Sequence, residues 1–174
     1  QTITNCDSAE LWVNDVTMGK RSTSDYTNNT IVWHVPYREG KIEAKGYNNG
    51  KEVTRFELKT SGKPARIVLM ADRKTISADG QDLSHIIIQI EDDKGVIVPD
   101  ADQLITVEVS GYGKLKGLDN GDLRREGSFS GNKVKTSFGK ALATIQSTRN
   151  PGDIVVRVKA GELPDATVTI STHK

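Results

Sequence analysis

The sequence predicts an all-β protein built from two tandem β-sandwiches, and three observations carry that prediction. Apolar and polar residues alternate with a period of two along most of the chain, as at Ile86, Ile88 and Ile90, which is the pattern of half-buried strands. Helical periodicity is nearly absent. Turn-forming sequences separate the alternating segments at short intervals, as is typical of sandwich folds.

The first half of the chain begins with a predicted strand. Thr2-Ile3-Thr4 has the pattern of a strand interior, so we expect these residues to continue from a longer polypeptide and not to form a leader. Trp33 shares a strand face with Ile31 and Val35 and is therefore expected in the core. Further strands are expected at residues 31–35 and 41–45, with turns at Asn14-Asp15 and Asn48-Asn49-Gly50.

The second half opens with the most informative stretch, from Ala65 to Pro99. It contains a strand, a turn at Asp79-Gly80, a second strand, and a turn at Asp93-Lys94-Gly95 before the chain returns. This succession is typical of bacterial immunoglobulin-like domains, so the predicted fold is two tandem immunoglobulin-like β-sandwiches. Later strands are expected at residues 105–109, 154–158 and 168–170, with turns at Asn120-Gly121 and Asn150-Pro151-Gly152.

A break between the two domains is expected at Thr60-Ser61-Gly62-Lys63-Pro64, where glycine and proline end one strand and begin the next. The predicted domains are a small sandwich at residues 1–62 and a larger one at residues 63–174. A domain of about 60 residues buries too little surface to be very stable alone. We therefore expect the first domain to depend on the second or on neighbours outside this chain.

Composition excludes several classes of function. The formal net charge is +1, with 35% hydrophobic and 27% charged residues and no run of lysine or arginine, so a nucleic-acid partner is not expected. No apolar stretch approaches the roughly 18 residues of a membrane span. Cys6 is the only cysteine, which rules out an internal disulfide and predicts a buried, inert thiol.

The sequence predicts no catalytic residue. Ser84 and His85 are neighbours on a strand, so their side chains should point to opposite faces, and no nucleophile or metalloprotease motif is present. Acidic residues such as Asp92 fall in turns or on polar strand faces, where we expect them to be solvated. No cofactor is expected, with calcium as the alternative. Its candidate ligands bracket two turns, Asp72, Asp79 and Asp82 at one and Asp119 and Asp122 at the other.

Two aromatic residues are candidates for sugar binding. Trp12 should point away from its neighbours Leu11 and Val13, and Tyr112 is the second aromatic ring on which a sugar could stack. The segment 118–139 is the least regular part of the chain and is expected to be a long surface loop, either a crossover between sheets or a functional loop.

Ordered sequence matches along nearly the whole chain resemble the C-terminal β-sandwich region of bacterial family 2 glycoside hydrolases of the β-galactosidase type. The matching segments are residues 5–14, 33–37, 40–47, 59–64, 71–73, 78–83, 118–122, 138–142 and 152–154.

The resemblance implies that the catalytic glutamates lie in an upstream (β/α)8 barrel, which needs about 250 residues. It implies accessory domains, inactive alone, that brace the catalytic domain of the same chain, form subunit contacts in a homo-oligomer, or shape substrate access. It also implies a periplasmic or extracellular location. Two other readings stay open at this point. One is a surface-adhesin segment, and the other is a carbohydrate-binding module that uses Trp12 or Tyr112 to hold a glycan.

Overall fold

The computed structural model describes residues 1–124 and 128–174, and in them the chain divides into two compact units. Unit 1 is Gln1–Thr60 and unit 2 is Ser61–Lys174. The division falls inside the segment expected to separate the domains, two residues before the predicted boundary. The all-β prediction is confirmed, because the described residues form β-strands and two single turns of 3-10 helix. In these residues no helix is long and apolar enough to cross a membrane.

Unit 1 is a four-stranded antiparallel sheet covered by a short two-stranded one. The sheet order is β3-β2-β5-β6, and β1 pairs with β4. The strands are β1 (Thr2–Ile3), β2 (Ser8–Val13), β3 (Val16–Ser22), β4 (Thr30–Ile31), β5 (Lys41–Asn48) and β6 (Lys51–Lys59).

The core of unit 1 lies between these layers and contains Ala9, Leu11, Ile31 and Trp33. Trp33 is buried as expected, and its indole N–H donates to the Gly19 carbonyl at 3.1 Å. The strand expected through residue 35, however, ends at Ile31. Beyond it the carbonyl of Val32 accepts a hydrogen bond from the Arg21 guanidinium at 2.6 Å, so a side chain satisfies this backbone group where a neighbouring strand would otherwise do so.

The hairpin turns of unit 1 use the residues that the sequence marks for them. Asn14 and Asp15 join β2 to β3 with φ of 48° and 63°, and Asn49 and Gly50 join β5 to β6 with φ of 49° and 76°. Two successive positive φ angles match the twist of the flanking strands, and asparagine and glycine tolerate them best.

Unit 2 is a sandwich of a five-stranded and a four-stranded sheet, with orders β12-β10-β14-β15-β8 and β11-β13-β9-β7. Its core is formed by the alternating residues that the sequence indicates, including Ile86, Ile88 and Ile90, all fully buried. The strands are β7 (Arg66–Ala71), β8 (Thr75–Ser77), β9 (Leu83–Glu91), β10 (Leu104–Gly111), β11 (Gly113–Asp119), β12 (Lys133–Lys135), β13 (Lys140–Ser147), β14 (Gly152–Ala160) and β15 (Leu163–His173).

Candidate functional site

Ser84, His85 and Asp72 meet at one end of β9, but their geometry is not that of a nucleophile triad. Ser84 is fully buried, and its hydroxyl donates to the Arg73 carbonyl at 2.7 Å. His85 Nδ1 lies 3.2 Å from Asp72 Oδ2 on the outer side of the strand. A catalytic serine must give its proton to the histidine, whereas here the two side chains leave the strand on opposite faces, as predicted.

The first group of acidic residues forms a hydrogen-bonded turn. Asp79 Oδ1 accepts the backbone N–H groups of Gln81 and Asp82, both at 2.8 Å. Asp82 accepts the backbone N–H of Ser77 at 2.8 Å and the Arg73 guanidinium at 2.7 Å, and these donors lower the pKa of its carboxyl. The carboxylates therefore already have donors on the oxygens that a calcium ion would use.

The second acidic pair is arranged in the same way. Asp119 Oδ1 accepts the backbone N–H of Asn120 at 2.7 Å. Asp122 pairs with the Arg124 guanidinium at 3.0 Å, which lowers the pKa of the Asp122 carboxyl. Among the described residues, no three histidine, cysteine or acidic side chains gather in a way that could hold a metal ion.

Trp12 lies on the face of the unit 1 sheet that is opposite the core, and it is half-buried. The Lys45 ammonium sits 4.3 Å from the centre of its ring. The indole nitrogen is buried without a well-formed hydrogen bond, although its proximity to Glu10 helps to lower the pKa of that carboxyl, after the larger effect of the Thr17 hydroxyl. A sugar could stack on the covered side of the ring only by displacing Lys45.

Glu43 is a buried charge beside Trp12 on the same face, with 7% of its surface exposed. Arg55 lies 3.5 Å and Lys45 3.9 Å from its carboxylate oxygens. A buried carboxylate needs such partners, because an unpaired charge is costly to remove from water. This face is therefore a compact polar network, and Trp12 is part of it.

Tyr112 lies in the link between β10 and β11 and is 44% exposed. Its ring covers Gly152 so closely that a Cβ on that residue would collide with it. Its backbone carbonyl accepts the Thr148 N–H at 2.8 Å. One side of the ring thus packs on backbone, and the exposed part remains the portion on which a sugar could stack.

One concave surface of unit 2 is a groove of about 700 Å³, which we call the β12 groove because it runs along that edge strand. Its walls come from residues 99–104, 120–124 with Ser128, and 133–138. Asn120 joins two of these walls, since its side-chain amide donates to the Lys135 carbonyl at 3.0 Å. Among the described residues that line it, the charged side chains are three carboxylates and three cations, Asp100, Asp102, Asp122, Arg124, Lys133 and Lys135.

Phe138 forms part of the rim of the β12 groove and is 76% exposed. It occupies a two-residue turn closed by reciprocal backbone hydrogen bonds between Ser137 and Lys140, both of 2.9 Å. The φ angles of Phe138 and Gly139 are 50° and 69°. A positive φ is unfavourable for a bulky residue, so the turn holds an exposed ring in a strained conformation.

Segment 118–139 is not the continuous loop that the sequence predicts, because it contains the end of β11 and the whole of β12, which pairs with β10. Its described residues supply two walls of the groove. Residues 125–127 of that segment lie outside the described residues. No pattern in the sequence indicates that Asp100 and Asp102 line the same groove. A usable signal was the pair Phe138-Gly139, an aromatic residue where a two-residue turn normally has asparagine.

The fold and these surfaces define a tandem β-sandwich protein. Residues 67–169 match the family profile described as glycoside hydrolase family 2 C-terminal domain 5, and residues 1–54 match a domain of unknown function, DUF4982. Because the first match covers more than half of the chain, the chain belongs to the C-terminal region of family 2 glycoside hydrolases. This assignment favours the enzyme-associated reading over a surface adhesin.

Similar sequences and a similar solved structure agree with this assignment. The chain is 34% identical over 168 residues to β-galactosidase BoGH2A of Bacteroides ovatus, which covers 97% of this chain and 20% of that protein. It is 24% identical over 172 residues to a β-glucuronidase of Formosa agariphila, covering 98% of this chain and 17% of that protein. A solved family 2 member from Bacteroides cellulosilyticus superimposes with a TM-score of 0.93 and 37% identity, over 98% of this chain and 22% of that one. The chain thus spans about a fifth of the length of its relatives.

Proposed function

We propose that this chain is a non-catalytic C-terminal region of a β-galactosidase-type family 2 glycoside hydrolase and that it braces the catalytic part of the same polypeptide. The observation that carries the proposal is the coverage: a β-galactosidase matches 97% of this chain with only 20% of its own length. The remaining length of such a relative is ample for a catalytic barrel, which takes about 250 residues. Export to the periplasm or cell surface belongs to the same proposal.

An uncovered apolar strip on unit 1 supports the bracing role. Phe56 and Leu58 on β6 are 66% and 57% exposed. They pair across the sheet with Ala44 and Ile42, which pack on the core of the unit. Phe56 and Leu58 therefore lie on the same face of the sheet as the core residues, but at an edge that the second layer of unit 1 does not cover. Exposed apolar surface of this kind marks an interaction site.

Unit 2 carries a second apolar pair on the outer face of its four-stranded sheet. Met70 and Ile87 are neighbours on β7 and β9 and are 41% and 42% exposed. Burying surface of this kind against another domain releases about 25 cal/mol for each Å², so both units offer surfaces whose burial would stabilise a larger enzyme.

The test introduces Phe56→Ser with Leu58→Ser into the whole parent enzyme and into the 174-residue chain alone. We expect a lower Tm for the parent and almost no change for the chain, because the side chains are covered only in the parent. Lys51→Ser, on the same exposed strand, is the matched control and should change neither. Equal effects in both settings would show that the strip is not an interdomain surface.

A further inference from the structure

We propose that the β12 groove is a binding subsite for a neutral oligosaccharide, with Phe138 as its stacking platform. The inference rests on the proposed function, since it assumes a parent that acts on glycans, and it adds a second, glycan-holding role for unit 2. It concerns residues other than Trp12 and Tyr112.

The aromatic ring of Phe138 lies where a ligand in the groove could reach it. Phe138 is held at the rim by a turn that would be less strained with another residue, and 76% of its surface is exposed. Strained conformations kept by a folded protein concentrate at functional sites. The flat face of an exposed ring suits the C–H face of a sugar, which is the apolar side of an otherwise polar molecule.

Polar groups along the same groove could bind the hydroxyl groups of a sugar. Within the described residues, the side chains of Asp100, Lys133 and Ser137 make no hydrogen bond or ion pair, so a carboxylate, an ammonium and a hydroxyl group are free to bind a ligand. Sugar hydroxyl groups both donate and accept hydrogen bonds and can therefore use all three.

The charges of the groove also bear on its ligand. In the described part of the groove, three carboxylates and three cations balance, which favours a neutral ligand over an anionic or cationic one. An apolar peptide segment would strip water from these side chains without replacing their hydrogen bonds, which is unfavourable. The volume of about 700 Å³ lies within the range of about 300–1,000 Å³ that ligand pockets occupy.

The test is an NMR titration of the 174-residue chain with β1,4-galactotetraose, repeated with gluco- and xylo-oligosaccharides of the same length. We expect saturable shifts at the backbone amides of Asp102, Lys135 and Gly139 with at least one of these sugars, with a Kd in the millimolar range or tighter. Phe138→Asn should weaken binding at least tenfold without lowering Tm, and Asp100→Ala should weaken it severalfold. Phe56→Asn, an exposed aromatic residue of unit 1, is the matched control and should bind like the unchanged chain.

Three results would overturn the proposal: no saturable shift with any of the sugars, shifts centred on Trp12 or Tyr112, or binding unaffected by Phe138→Asn. If Phe138→Asn lowered the Tm of the whole parent enzyme but not that of the chain, the groove would be occupied by another part of the polypeptide and the glycan proposal would be wrong. In that case the bracing function would still stand, because the surface tested for it lies on β6.

Discussion

The carboxylate of Asp92 accepts the backbone N–H of Gly62 at 2.7 Å, across 30 residues of sequence. Its other oxygen accepts the N–H groups of Lys94 and Val96 at 2.9 and 2.8 Å. Only 1% of its surface is exposed, so the expectation of a solvated acid was wrong. Hydrogen bonds from Gly62 and Val96 hold its pKa below the ordinary value. Asp92 thus connects the start of unit 2 to the turn after β9 through hydrogen bonds.

Replacing Asp92 by alanine should lower the Tm of unit 2 by roughly 5 °C or more, since the N–H groups of Gly62, Lys94 and Val96 lose their acceptor. Asp92→Asn should have a smaller effect, because the amide keeps one acceptor oxygen. Asp93→Ala, at the exposed neighbouring position, is the control. Differential scanning calorimetry of the whole chain measures all three. Equal melting of the Asp92→Ala and Asp93→Ala variants would contradict the connecting role.

Unit 2 should lose stability in acid. Hydrogen bonds lower the pKa of the carboxyls of Asp79, Asp82 and Asp92 below 3.8 in the folded state. A lowered pKa stabilises the fold above the unfolded value and loses that effect as pH falls towards the folded value. We expect nearly constant urea midpoints from pH 7 to about pH 5 and a steep fall below about pH 4. A midpoint unchanged down to pH 2.5 would refute this prediction.

Phe138→Asn should raise the free energy of unfolding by about 0.5–1 kcal/mol, because asparagine tolerates the positive φ of this turn better than phenylalanine does. The reciprocal change, Asn49→Phe, places a bulky residue at a φ of 49° and should destabilise unit 1 by a similar amount. Urea unfolding of both variants measures the pair. Destabilisation by Phe138→Asn would mean that the ring contributes to the fold itself.

Calcium and EDTA should leave the Tm of the chain unchanged. The candidate oxygens of Asp79 and Asp82 already accept backbone N–H groups and the Arg73 guanidinium. A cation would have to replace these donors with ligands that the turn does not gather. Thermal melts in calcium and in EDTA test this directly. A calcium-dependent rise in Tm that Asp82→Asn abolishes would instead establish a site at this turn.

Residues 1–60 expressed alone should melt well below the intact chain, or without cooperativity. Only four residues form the buried core cluster of unit 1, and a unit of this size has little surface to bury. Circular dichroism of this fragment beside residues 61–174 and the whole chain gives the comparison. A cooperative transition at the temperature of the whole chain would show that unit 1 is independently stable.

The parts of the fold that were predictable are those that depend on local sequence. Ile86, Ile88 and Ile90 identify a core strand by alternation, and Asn49-Gly50 identifies a hairpin by its tolerance of positive φ. The burial of Asp92 is not predictable from local sequence, because its partner Gly62 is distant along the chain. The strand through Trp33 is shorter than its sequence predicts. Apolar residues alternate as far as Val35, but the chain beyond Ile31 pairs with no neighbouring strand.

The candidate site was less predictable for a related reason. The β12 groove joins three separate segments, and no local pattern links Asp100 to Asn120 or Lys135. The alternation of strand residues places Trp12 on the outer face of its sheet, but the sequence does not reveal that Lys45 lies over the ring.

The central claim is tested most directly by measuring hydrolysis of chromogenic β-galactoside and β-glucuronide substrates by the 174-residue chain, by the whole parent enzyme, and by the parent lacking this region. We predict no turnover by the chain, turnover of the β-galactoside by the parent, and a less stable, less active enzyme after the deletion. Turnover by the isolated chain would contradict the account, because it would require a catalytic group within these two sandwiches.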